Sequence, residues 1–274
     1  MRLIPAAGRL VALMLFCVRA TAGNAEIPVR DPTSGEVIAR LEASVYLPTG
    51  PGPFPVAILS HGSAGGSPKT SIPWKGDGEY LASRGYVVVA PMRRGRGKST
   101  GTSPESEDKN CDPESWYPGL RESMRDLDAT VEFTHSLPNA RIDDLTLIGV
   151  SRGGFLSIAY SAEGKHRSEV RKVVNFVGGW VAQAEDQCSI DFNLVAFRRY
   201  GAETKIPMLW LYGARDLFYG DSAVKDYARA FTDAGGIAHF HLIPDVPDNG
   251  HWLPQYPAKW RSLVDRFLLA PDVP

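Results

Sequence analysis

Two periods of apolar spacing alternate along this chain. Short unbroken apolar runs occur at residues 55–59 (Pro-Val-Ala-Ile-Leu), 86–90 (Tyr-Val-Val-Val-Ala), 145–149 (Leu-Thr-Leu-Ile-Gly) and 208–212 (Met-Leu-Trp-Leu-Tyr). Runs of this length that do not alternate with polar residues predict strands covered on both faces. Residues 172–177 and 239–243 fit further strands, and 37–46 mixes apolar and polar positions as a half-exposed hairpin strand does. Between these runs the spacing becomes helical. Leu120, Met124, Leu127 and Val131 recur at three- and four-residue steps within 117–137, and residues 78–84, 153–162 and 223–234 read as helices. Trp260, Leu263, Val264, Phe267 and Leu268 line one face of a closing helix. Strands alternating with helices predict an α/β fold, a mainly parallel central sheet of about eight strands with helices on both faces.

Composition narrows the class without changing this picture. The 274 residues are 43% hydrophobic and 22% charged with a net charge of -1, values of an ordinary globular enzyme that give no reason to expect nucleic acid or an anionic membrane as partner. No repeat or low-complexity block interrupts the chain. The first residues differ: Arg2 and Arg9 precede the apolar run 10–18, and Ala20-Thr21-Ala22 offers a small-x-small cleavage site. This layout predicts a secretory signal peptide over 1–22, a single catalytic domain over 23–274, and a secreted or periplasmic product. The run is too short to span a bilayer, so no stable membrane insertion is expected after cleavage, with an uncleaved anchor as the alternative. Beyond the leader, Cys111 and Cys188 remain, either a disulfide or two separate thiols. No metal-ligand spacing accompanies them, and no metal is expected.

Two segments match Gly-x-Ser-x-Gly: Gly97-Lys-Ser99-Thr-Gly101 and Gly149-Val-Ser151-Arg-Gly153. A nucleophile elbow needs a strand that runs into a tight turn and then a helix. Ser151 has that context, with an apolar strand ending at Gly149 and Gly153-Gly154-Phe155-Leu156 opening a helix. Ser99 is followed by the polar Ser103-Pro104-Glu105. Gly97-Lys98-Ser99 also imitates the end of a phosphate-binding loop, but Met92 stands where its first glycine is required. Ser151 is therefore the expected nucleophile.

A serine hydroxyl needs a base, and the base needs an orienting carboxylate. Asp216 follows the strand 208–212 and is the expected acid, with Asp221, Asp245 and Asp248 as alternatives. His251, in a loop between the last strand and the final helix, is the expected base. His239 and His241 share one face of a strand and suit packing, while His135 and His166 suit the surface. Acyl transfer also needs amide donors for the developing oxyanion. The backbone N–H groups of Arg152 and of Ser63, in the loop His61-Gly-Ser-Ala-Gly-Gly66, are the candidates, with His61 as a structural residue of that loop.

These motifs resemble the α/β-hydrolase superfamily, and in particular its dienelactone-hydrolase-like branch. The resemblance rests on His61-Gly62-Ser63, Arg94-Gly95-Arg96-Gly97-Lys98-Ser99, Gly149-Val-Ser151-Arg-Gly153, Gly213-Ala-Arg-Asp216 and Gly250-His251, in the family's order over most of the chain. It implies an α/β-hydrolase fold, a Ser151–Asp216–His251 triad and no cofactor. It also implies that the loop around Ser99 is structural. Dienelactone hydrolases themselves use a cysteine nucleophile, so Ser151 favours a general ester as substrate.

The expected reaction is hydrolysis of a small-molecule carboxylic ester through an acyl-enzyme. A single-domain peptidase or acyltransferase on the same fold is the alternative, and a non-catalytic binding protein a further one. Trp180, Phe218 and Trp252, with Trp116, are candidates to line an acyl pocket or to pack the core. Arg93, Arg94 and Arg96 either receive an anionic substrate or pair internally. Residues 100–117 and 181–200 follow strands and suit a rim or lid, and a Cys111–Cys188 disulfide would tie the two together.

Overall fold

In a computed structural model, which describes residues 21–63, 67–105, 115–181 and 187–270, the chain forms an eight-stranded sheet. The strands are β1 (Thr21–Arg30), β2 (Val37–Leu47), β3 (Phe54–Ser60), β4 (Val87–Pro91), β5 (Ala140–Val150), β6 (Val170–Phe176), β7 (Met208–Gly213) and β8 (Ala238–Ile243). Their spatial order is β1-β2-β4-β3-β5-β6-β7-β8. From β4 to β8 every neighbouring pair is parallel, while β1 with β2 and β2 with β4 are antiparallel. All residues of β4 and β7 are buried, which is why these runs carry no polar alternation.

The helices are α1 (Lys75–Ser83), α2 (Tyr117–Thr134), α3 (Arg152–Glu163), α4 (Gln187–Glu203), α5 (Asp221–Asp233) and α6 (Pro257–Leu269). Helices α1 and α6 meet on one face, where Tyr80 and Arg84 bond Asp265 and the Arg261 guanidinium lies over the Tyr80 ring. On the other face α3 is buried through eleven consecutive residues from Arg152 to Ala162, so it is apolar nearly all round and occupies the centre. Phe155 of α3 packs against Phe192 and Phe197 of α4, and Phe197 against Trp210 of β7.

Three elements depart from the sequence expectations. Strand β1 pairs along its whole length with β2, and the pair buries Ile27, Val29, Leu41 and Ala43 in a second apolar cluster. Strand β5 starts at Ala140, well before the apolar run, because its exposed first residues pair with Phe54 and Pro55 of β3. Within the rim-or-lid segment 181–200, residues from 187 onward are helical. Phe192, Ala196, Phe197 and Tyr200 recur at helical spacing and face the core, while Val195 is exposed. Residues 1–20, which hold most of the expected leader, lie outside the described residues. No described helix is long and apolar enough to cross a membrane.

Candidate active site

Ser151 stands between β5 and α3. Its amide still belongs to the sheet, donating to Phe176 O at 2.8 Å, while its carbonyl already accepts from Phe155 N of the helix at 3.1 Å. The chain turns within that one residue, at φ 55° and ψ -123°. A non-glycine residue in this region costs about 1–3 kcal/mol, so the surroundings must enforce it. The flanking glycines are what permit the turn. A Cβ on Gly149 would lie 2.1 Å from Gly153 O, and one on Gly153 would lie 2.1 Å from Ser60 O, leaving no room for any side chain where helix and strands meet.

Asp216 and His251 meet although 35 residues separate them. His251 Nδ1 lies 2.8 Å from Asp216 Oδ2. The carboxylate accepts only, so Nδ1 carries the proton and Nε2 keeps its lone pair. The carboxylate is fully buried, and its other oxygen accepts from the amides of Phe218 (2.7 Å) and Tyr219 (3.1 Å). Asn249 ties the two loops together. Its Oδ1 accepts from His251 N at 2.9 Å and from Leu217 N at 3.0 Å, a link between the Asp216 and His251 loops not expected from the sequence. The alternative acids are placed otherwise: Asp221 caps the turn at Arg215 N, while Asp245 and Asp248 are exposed.

The loop after β3 abuts Ser151, since a Cβ on Gly62 would lie 2.9 Å from Ser151 Cβ. Ser63 is exposed beside it, and residues 64–66 lie outside the described residues. The amide of Arg152 is the first of α3, where helix N–H groups have no intrahelical partner. His61 anchors this loop. Its Nε2 accepts from Arg93 N at 2.9 Å, which places the ring proton on Nδ1, 2.6 Å from Gly62 O. Burial, with the Arg93 guanidinium adding to it, pushes His61 down to about 3.

That shift has a consequence for stability. Between pH 3 and 6.5 the unfolded chain binds a proton at this histidine that the native protein refuses, so stability rises with pH across the window. Urea unfolding at a series of pH values is expected to show stability falling as pH drops from 6.5 towards 3, with a shallower slope in His61→Gln. An unchanged slope in the variant would remove His61 as a cause.

Glu105 is the charge centre behind the loop, another residue not singled out in the sequence. Its carboxylate is fully buried and holds Arg93 Nε, Arg96 Nη2 at 3.2 Å and Arg152 Nη1 at 3.4 Å. Burial alone would raise its pKa, but the Arg93 guanidinium, with His61 and Arg152 beside it, more than offsets this and holds it at about 2. Arg93 continues to the carbonyl of His61 at 2.5 Å, so the carboxylate, the guanidinium and the loop beside Ser151 form one bonded chain. Arg94 pairs instead with Asp126 at 2.7 Å and Glu122 at 3.3 Å. The three arginines thus have internal partners.

The remaining residues sort by contact. Ser99 is structural, donating to Met92 O at 2.7 Å and accepting from Glu42 N at 2.9 Å. Phe218 and Trp252 are partly exposed with rings 4.6 and 5.9 Å from His251, at the mouth of the site. Trp180 is buried against Phe155, and its carbonyl accepts from Arg152 Nε at 2.9 Å. Trp116 is buried beside Phe192. Cys188 is disulfide-bonded, and Cys17 and Cys111 lie outside the described residues. His135, His166 and Glu169 bring their nitrogens and carboxylate oxygens within 4.8 Å of one another. They bond one another near the start of β6, at the opposite end of the strands from Ser151.

Comparison with known proteins places this arrangement. The family model of the dienelactone hydrolase family matches residues 41–251. A Klebsiella pneumoniae protein assigned as a dienelactone hydrolase is 19% identical with a TM-score of 0.61, over 92% of this chain and 99% of that one. A Pyrococcus furiosus esterase is 19% identical with a TM-score of 0.63, over 90% of each chain. A Pyrococcus horikoshii acylaminoacyl peptidase is 16% identical with a TM-score of 0.60, over 90% of this chain but 42% of that one. No curated protein matches the chain. These structures share the fold, and the family match extends from β2 through His251. The chain belongs to the dienelactone hydrolase family and is a hydrolase of the α/β-hydrolase fold.

Proposed function

We propose that this protein is a serine esterase that cleaves a small-molecule carboxylic ester through an acyl-enzyme. The observation that carries the reading is Ser151, held at a strained turn on the N-terminus of α3 in a site with the bonded Asp216–His251 pair. His251 Nε2 takes the Ser151 proton as Oγ attacks the ester carbon, while the Arg152 and Ser63 amides stabilise the oxyanion. The tetrahedral adduct collapses, the alcohol leaves with the proton from His251, and water repeats the sequence to release the acid. The exposed rings of Phe218 and Trp252 favour an apolar acyl or alcohol group at the mouth. A fluorophosphonate that labels wild type and not Ser151→Ala, together with a panel of p-nitrophenyl esters set against peptide anilides, tests both the nucleophile and the substrate class. Turnover of anilides above esters would favour the peptidase reading.

The leader and cysteines extend the proposal to an exported protein with a Cys111–Cys188 disulfide. The bonded state of Cys188 supports an oxidising compartment. Non-reducing peptide mapping of protein recovered from an exporting host is expected to give a Cys111–Cys188 cross-link and an N-terminus near Gly23. A cross-link to Cys17 would contradict both.

A further inference from the structure

Tyr219 lies three residues beyond Asp216 and is one of the largest fully buried side chains. Its amide donates to Asp216 Oδ1, and its ring lies 5.7 Å from the His251 ring. The hydroxyl end passes over Gly179, where a Cβ would lie 2.4 Å from Cζ and 2.7 Å from Oη. Gly179 in turn bonds the Ser151 carbonyl. The Tyr219 hydroxyl is buried and makes no regular hydrogen bond among the described residues, yet the side chain it faces is that of Ser151. Buried hydroxyls rarely go unpartnered, because the lost hydration is not recovered. An unsatisfied phenol beside a nucleophile is explained if its partner acquires acceptor strength during the reaction.

We infer that the Tyr219 hydroxyl is a catalytic hydrogen-bond donor to Ser151 Oγ that acts when the acyl-enzyme breaks down; this rests on the serine-esterase reading above. In the acyl-enzyme Oγ is an ester oxygen, a weak acceptor. After water has added and given its proton to His251, the C–Oγ bond breaks and its electron pair moves to Oγ, which takes the proton from the imidazolium. The phenol supports the charge that builds on Oγ in this step, and an interaction stronger in the transition state than in the ground state accelerates it. Attack by the resting enzyme gains less, because the acceptor strength of the serine oxygen falls as it passes from hydroxyl to ester. Burial, with the Asp216 carboxylate nearby, raises the phenol above its ordinary pKa, so it remains a donor at every working pH.

Tyr219→Phe with p-nitrophenyl acetate tests the role, since the good leaving group makes acyl-enzyme breakdown the slow step. The expected result is a kcat lowered about tenfold and a KM lowered with it, so that kcat/KM stays within about twofold. Intact mass should show an acetyl adduct on Ser151 accumulating in the variant beyond the wild-type level. Thermal stability should be unchanged, because no existing partner is lost. A wild-type kcat overturns the inference. So does an equal fall of kcat and kcat/KM without an adduct, the pattern of a merely structural residue. Should Tyr219→Phe not fold, Gly179→Ala keeps the phenol but leaves no room for its ring in the present position, and the same kinetic pattern is required of it. If Ser151→Ala keeps full turnover, the serine reading itself fails and takes the tyrosine's role with it, an outcome distinct from a wild-type kcat in Tyr219→Phe alone.

Discussion

Ser151→Ala is expected to reduce ester turnover by at least about 10⁴-fold while leaving thermal stability unchanged or slightly raised. On the proposed serine-esterase reading, removing Oγ removes the atom that forms the covalent intermediate, so what remains is the contribution of the oxyanion donors and binding. The stability expectation follows from the turn itself. Ser151 is held at φ 55° by Gly149, Gly153 and the close contact of helix with strands, none of which involves its hydroxyl. Parallel measurement of kcat and melting temperature checks both halves. A variant that retained more than about one hundredth of the wild-type rate would place the nucleophile elsewhere.

The second large effect is on stability rather than chemistry. Glu105→Gln is expected to destabilise the protein by about 3–5 kcal/mol, because it leaves the guanidinium groups of Arg93, Arg96 and Arg152 crowded around a neutral amide. Paired buried charges add little net stability, whereas unpaired ones cost a great deal, so the loss comes from the arginines left behind. Activity in the fraction that folds should fall too, since Arg93 carries the pairing on to the His61 carbonyl in the loop beside Ser151. Urea unfolding of wild type, Glu105→Gln and the double variant Glu105→Gln/Arg93→Met measures this. The double variant should recover part of the loss, and no recovery would show that the cluster is not coupled. The low pKa of Glu105 adds a pH signature. Its folded value of about 2 against an ordinary 4.5 means its stabilisation is present above 4.5 and lost as pH falls towards 2.

These two residues illustrate different degrees of legibility in the sequence. Ser151 could be chosen over Ser99 because a strand–turn–helix is written in local order, and local order is visible as apolar spacing and glycines. Glu105 sits in a polar stretch with no periodicity, and its importance comes from three arginines converging on it from positions 12, 9 and 47 residues away. Tyr219 reads as one more aromatic in a loop until its hydroxyl is found buried beside Ser151. Nothing local distinguishes either residue.

By itself the sequence determined the alternation of elements and the family, and it singled out Ser151, Asp216 and His251 as the candidates in that order. These depend on short-range chemistry: unbroken apolar runs for strands buried on both faces, stripes for helices, and glycines where backbones touch. Only the tertiary structure decided what each polar residue bonds to. It paired Asp216 with His251, gave the three arginines to internal carboxylates, made Ser99 a clasp on β2, and turned most of a supposed rim into α4. It also added β1, whose residues carry too little pattern to announce a strand and are held by pairing with β2. The physical reason is one of range. A hydrogen bond or ion pair forms only between groups a few ångströms apart, and for partners 30 to 60 residues apart that distance exists only once the sheet has brought them together.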